Sequence, residues 1–188
     1  RIFWGVLGTI FFFIVIIIIF GIYSIKAGAL TEPAQFQDAI INQAKTWFIP
    51  DARRIPAPPE KTEQTILEGG EHFNHHCAVC HDLNGDADSL FAESFHPRVA
   101  DLMSERVQDY SGEQLKWIID FGIRYTGMPG WAKLVNDDAQ WKIVYYINIL
   151  DDPEQMEKYS QMLKEKGKWE IGLPVAAHDN DEGHEHSH

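Results

Sequence analysis

The sequence predicts an all-α protein, in which one N-terminal apolar helix precedes a small helical domain. An uncharged apolar run occupies residues 2–22. Further along, apolar residues recur at three- and four-residue intervals, and no stretch alternates apolar and polar residues as a half-buried strand would. The 188 residues are 45% apolar and 12% aromatic, so the chain is long enough for one ordinary domain with attachments and too apolar to be wholly disordered.

The apolar run at residues 2–22 would form a helix roughly 31 Å long, enough to cross the hydrocarbon layer of a membrane. Trp4 and Tyr23 lie near its ends, where interfacial aromatic residues are found. The small residues 27–29 resemble a signal cleavage site, but the apolar core of a signal peptide is normally about 7 to 15 residues long. We therefore predict a retained transmembrane anchor at 1–25, with a cleaved signal as the alternative.

Residues 26–61 are predicted to form a short helix and a proline-rich spacer. The helix is expected over Pro33 to Phe48, where apolar residues share one face. The stretch from Ile49 to Pro59 contains four prolines, which suppress helix and favour a semi-rigid extended backbone.

The predicted domain at 62–150 contains three helices. Thr62 is expected to cap the first, which runs toward Cys77 and contains Gly69, where a second helix can approach closely. That second helix is expected to begin at Asp137 or Asp138, to end at Leu150 and to cross the first at Gly69.

Between them, Ser111 with Gln114 three residues later forms a capping-box pattern, and the helix it opens ends near Gly122. Beyond the domain, Asp152 followed by proline predicts a charged helix over 151–168 that ends at Gly167.

The segment Cys77-Ala78-Val79-Cys80-His81 has the spacing that covalent attachment of c-type haem requires. Each thiol can add to one vinyl group of the porphyrin, and the adjacent His81 can become the proximal ligand of the iron. Two alternatives are a thioredoxin-like redox pair, which lacks its expected βαβ context, and a zinc site completed by His72, His75 or His76.

A second axial ligand is expected from Met128, which lies in a glycine- and proline-rich loop between two predicted helices. A thioether ligand raises the haem potential relative to a second imidazole. Met103, Met156 and Met162 lack such a loop and are expected to pack or to lie at the surface. A histidine among His72, His75 and His76 is the competing ligand.

With these features in this order, residues 62–150 resemble the monohaem class I cytochrome c family. The resemblance rests on Gly69 and Phe73 before the cysteine motif, on Gly127-Met128-Pro129, and on the aromatic helix with Trp141 and Tyr146. It implies one covalent haem c held between His81 and Met128. It also implies that the Pro97 carbonyl orients His81, and that the haem propionates are bound by Arg124, Tyr125 and Trp131.

The net charge of −12 argues against nucleic acid as a partner. Residues 169–188 form an acidic tail whose histidines, His178, His184, His186 and His188, are suited to copper, nickel or zinc. The alternative is a disordered tail that binds no specific ligand.

The expected function is electron transfer, by a cytochrome that performs no bond-making chemistry itself. We expect a single-pass protein of the bacterial inner membrane with its haem domain on the periplasmic side. Its partners would be redox proteins or the other subunits of a respiratory complex. The alternative is a haem gas sensor or a periplasmic metal-handling protein.

Overall fold

The computed structural model describes residues 2–24, 39–41, 43–44, 49 and 58–171. Within these residues every regular element is helical, as predicted. Most of the helix expected over Pro33 to Phe48, most of the proline-rich spacer and nearly all of the tail at 169–188, with its histidines, lie outside the described residues.

The N-terminal helix, α1 (Ile2–Ser24), is mostly apolar and contains no charged residue. Its stretch Phe3–Gly21 has a mean hydropathy of 2.8 and none of it is buried in the protein, so by length and composition it could cross a membrane. A signal sequence satisfies the same description. The structure therefore confirms the apolar helix without distinguishing an anchor from a signal.

The helix that leads to the cysteine motif, α2 (Glu63–His76), begins as predicted. The Thr62 hydroxyl accepts a hydrogen bond from the Thr65 N–H at 3.1 Å, and the Thr65 hydroxyl accepts one from the Thr62 N–H at 2.8 Å. This reciprocal box satisfies N–H groups that have no partner inside the helix. A single turn, α3 (Ala78–His81), follows directly and carries the second half of the motif.

Short elements occupy the region after the motif. A 3₁₀ turn covers Ala92–Ser94, and α4 (Glu105–Gln108) is a single turn. The next helix, α5 (Gly112–Phe121), has the predicted capping box between Ser111 and Gln114 and ends against Gly122. At Gly122 the backbone adopts φ +65°, the left-handed region that glycine enters without strain.

The aromatic helix, α6 (Asp137–Ile147), starts where the sequence predicted but is capped by Asn136, whose side chain accepts from the Ala139 N–H at 2.9 Å. It is three residues shorter than expected, because the chain leaves the helix after Ile147 and continues in turns to Leu150.

The two long helices of the domain, α2 and α6, cross at Gly69 and share the largest interface in the domain. Phe73 and Tyr146 face each other there, with ring centroids 5.3 Å apart, and both are fully buried. The predicted crossing is therefore confirmed.

The last helix, α7 (Pro153–Glu165), is capped by Asp152 as predicted and ends two residues before Gly167. The predicted domain boundary at residue 150 separated this helix from the domain at 62–150. In the structure Tyr159 and Leu163 of α7 are buried in the same core as α2, and Leu163 packs against Gly70.

Candidate functional site

An apolar cavity of about 340 Å³ lies beside the cysteine motif. That volume is within the usual range for sites that hold small molecules and cofactors. Its walls come mainly from the end of α2, from α3, from the segment 95–110, from α5 and from the loop that follows α5. The lining includes Phe73, Val79, Val99, Leu115, Ile118 and Ile123.

Cys77 and Cys80 both line this cavity and form no disulfide. The Cys77 carbonyl accepts from the N–H groups of Cys80 and His81, at 3.1 and 2.9 Å, so the motif is wound into one tight turn. Burial raises the pKa of the Cys77 thiol to about 12, and it also raises that of Cys80. Both groups are therefore protonated at neutral pH, unlike the activated thiolate of a redox-active Cys-x-x-Cys pair.

His81 lines the same cavity, and its Nδ1 donates a hydrogen bond to the Ala100 carbonyl at 3.0 Å. Burial lowers the pKa of His81, although this hydrogen bond opposes the shift. The neutral ring with its proton on Nδ1 keeps the lone pair of Nε2 free, which is the form that a metal requires.

The partner of His81 differs from the expectation, which gave this role to the Pro97 carbonyl. Pro97 lines the cavity, but the hydrogen bond goes to Ala100, three residues later. The segment from Asn84 to His96 ends in a cis peptide bond between His96 and Pro97. Sequence spacing alone could not locate the carbonyl that reaches His81.

Met128 lies in the loop 122–136 and also lines the cavity. The loop folds back on itself there: the Ile123 N–H donates to the Met128 carbonyl at 3.2 Å, and the Met128 N–H donates to the Thr126 hydroxyl at 3.1 Å. Met103 is exposed, and Met156 and Met162 pack against the core, as expected.

Of the three residues that the resemblance assigned to the propionates, only Trp131 lines the cavity. Its ring lies 5.5 Å from that of His76, which lines the cavity too. Arg124 and Tyr125 are exposed and do not line it, and Tyr125 is 90% exposed.

Two other cationic side chains, Arg98 and Arg106, line the cavity instead. Arg98 forms a loose, exposed ion pair with Glu93 at 3.6 Å. Neither arginine lies in a recognisable sequence motif. Only the folding of the segment 95–107 over the cavity reveals them.

The competing ligands are arranged less favourably. His76 lines the cavity, whereas His72 and His75 do not. Among residues 58–171 and the shorter described segments, no three side chains of His, Cys, Asp or Glu are grouped as a metal site would need.

Part of the chain matches the model of a known protein family. The model of the family described as "Cytochrome C oxidase, cbb3-type, subunit III" matches residues 64–147. Among solved structures, the chain is similar to a chain of the reducing HAO-like protein complex of Kuenenia stuttgartiensis, with 25% sequence identity and a TM-score of 0.46. The similarity covers 50% of this chain and 47% of the Kuenenia chain. The present chain therefore spans about half the length of that relative. No curated protein matches the chain.

Proposed function

We propose that the chain is a membrane-anchored c-type cytochrome that carries single electrons between redox proteins, since residues 64–147 match a cytochrome family model. One observation carries this proposal. Cys77, Cys80, His81 and Met128, which are separated by up to 51 positions, line one apolar cavity.

The residues of the cavity fit a covalent haem c. Cys77 and Cys80 would form the thioether bonds, and His81 and Met128 would be the axial ligands. The bound haem would supply an iron that accepts and releases one electron. The protein contributes the neutral His81 ring held by Ala100, and the apolar walls that would keep water away from the iron.

Arg98 and Arg106 are proposed to pair with the haem propionates, with Trp131 as a third contact. A guanidinium binds carboxylate in a bidentate manner, and both arginines lie on the cavity wall. They replace Arg124 and Tyr125 in this role, since neither of those side chains lines the cavity.

We further propose that α1 is retained as the anchor, in the bacterial inner membrane, with the haem domain on the periplasmic side. Its apolar stretch Phe3–Gly21 is longer than the apolar core of an ordinary signal. The name of the matching family denotes an oxidase subunit. This name supports a role as a subunit of a respiratory membrane complex, or as a carrier docked to one.

The cofactor is tested by producing the full chain in bacteria that attach haem c. The purified protein should give the pyridine haemochrome spectrum of a thioether-bonded haem and the mass of the chain plus one haem. Cys77→Ser/Cys80→Ser should yield no covalently bound haem. A wild-type protein with the mass of the bare chain would refute the proposal.

The anchor and the complex are tested in native membranes. An intact N-terminus on the purified protein, together with release by detergent but not by salt, would support an anchor, whereas a chain that begins near Ala29 would show a cleaved signal. Stable co-purification with an oxidase or another redox enzyme would support a permanent subunit. Migration alone after mild solubilisation would favour a free carrier.

A further inference from the structure

Lys116, in the middle of α5, is a buried lysine that the proposed haem site does not use. Only 1% of its side chain is exposed. Its Nζ donates to both carboxylate oxygens of Asp120, at 2.8 Å each, and to one oxygen of Asp137 at 2.9 Å. The side chain of Asp120 is 13% exposed and that of Asp137 70%. The ammonium is therefore withdrawn from water and held between two carboxylates.

Stability alone does not explain a lysine at this position. Desolvation of an ammonium is so costly that replacing a buried ion pair by apolar side chains is often neutral or stabilising. The neighbouring residues Leu115 and Ile119 are apolar and belong to the core. In some proteins a buried ion pair adds specificity, because it holds particular points of the chain at a fixed separation.

Those points are the two ends of the loop that carries Met128. Asp120 belongs to the last turn of α5, and Asp137 is the first residue of α6. The loop 122–136 begins and ends beside them. One ammonium group therefore ties the helix before the loop to the helix after it.

Asp120 also contacts the loop through its backbone. Its carbonyl accepts a hydrogen bond from the Ala132 N–H at 3.2 Å. A Cβ added at Gly130 would lie 2.7 Å from the same oxygen, so the two backbones are in close contact. Any displacement of Asp120 is thus transmitted to the segment that follows Met128.

We propose that Lys116 is a positioning residue for Met128: by binding Asp120 and Asp137 together, it holds the loop in the shape that presents the methionine sulfur to the cavity. The proposal rests on the proposed function, in which Met128 is the second axial ligand.

The test compares three variants of the haem-loaded full chain. Lys116→Met removes the charge and keeps an unbranched side chain. Lys116→Met/Asp120→Asn also removes the buried carboxylate left behind, so that folding does not depend on an unpaired charge. The control is Lys142→Met, since Lys142 likewise bridges two acidic residues, Glu68 and Asp138, but these ion pairs join α2 to the start of α6 and include no residue of α5 or of the loop 122–136.

Both Lys116 variants should show a weaker methionine-to-iron charge-transfer band and a lower midpoint potential. The apparent affinity of their ferrous form for carbon monoxide should rise about tenfold, because that affinity scales with the fraction of molecules in which the sulfur has left the iron. Lys142→Met should leave all three measurements at the wild-type value, even where its unfolding midpoint falls as far.

If the double variant folds and keeps the band, the potential and the carbon monoxide affinity of the wild type, Lys116 is only structural and the proposal is wrong. Equal changes in Lys142→Met would also overturn it, because general destabilisation would then explain them. A wild-type protein without the band would refute the assignment of Met128 itself, which separates that failure from the failure of the Lys116 proposal.

Discussion

Gly69 of α2 lies directly against the backbone carbonyl of Lys142 in α6. A Cβ built at Gly69 would be 1.9 Å from that oxygen, far inside van der Waals contact. These two helices, which both contribute residues to the cavity wall, therefore approach each other as closely as their backbones allow, and only glycine permits this approach.

Gly69→Ala is expected to separate the two helices and to lower the free energy of unfolding by about 3 kcal/mol, the upper part of the usual range for overpacked cores. Denaturant unfolding of the haem-loaded protein measures this. The control is Gly112→Ala, whose Cβ would meet Trp141 at an ordinary 3.4 Å. Similar unfolding midpoints for the two variants would contradict the tight crossing.

Leu163→Ala is expected to destabilise the domain by about 2 to 4 kcal/mol, because it leaves a cavity where the fully buried leucine side chain was. Urea unfolding of this variant tests whether α7 belongs to the same cooperative unit as α2. Glu165→Ala, at an exposed position two residues later, should have little effect. A second, independent unfolding transition would show instead that α7 is a separate attachment.

Met128→Ala should abolish the charge-transfer band and allow carbon monoxide to bind the ferrous protein. It should also lower the midpoint potential by on the order of 100 mV, given that axial ligands tune haem potentials over about 0.8 V. Met103→Ala, at an exposed position, should behave as wild type. A wild-type protein that binds carbon monoxide readily would favour the gas-sensor alternative.

Arg106→Gln should lower the midpoint potential, because a positive charge on the cavity wall favours the reduced iron. For a one-electron couple, each kcal/mol of favourable interaction that is lost lowers the potential by about 40 mV. Arg124→Gln, outside the cavity lining, should change the potential less, and the opposite ranking would restore the assignment made from the resemblance.

Acidification should destabilise the domain through its half-buried histidines. Burial, and after it the charge of Lys142, lowers the pKa of His72, and burial also lowers the pKa of His76. As pH falls below about 6.5, the unfolded chain takes up protons that the folded one resists, so the free energy of unfolding decreases.

The measurement is the unfolding midpoint of the haem-loaded protein between pH 7.5 and 5. His72→Gln should flatten its decline, because the variant lacks the histidine whose pKa burial lowers. An equally steep decline in His72→Gln would exclude His72 as a source of the pH dependence.

Local sequence signals predicted the helices well. Thr62, Ser111 and Asp152 cap helices as expected, since a side chain that accepts from the N–H groups of the next turn acts within a few residues of itself. The sequence placed the end of α6 three residues too late, because Leu150 stays buried in the turns that follow the helix. The apolar residues at 149–150 therefore indicate burial and not a continued helix.

What the sequence determined by itself is chemistry confined to short segments: an apolar helix at the N-terminus, a Cys-x-x-Cys-His turn, and a methionine in a glycine-rich loop. What only the tertiary structure decided is which distant groups meet them. Ala100 rather than Pro97 holds His81, Arg106 rather than Arg124 lines the cavity, and Lys116 joins Asp120 to Asp137. Contacts of this kind depend on the path of loops between helices, which no local periodicity encodes.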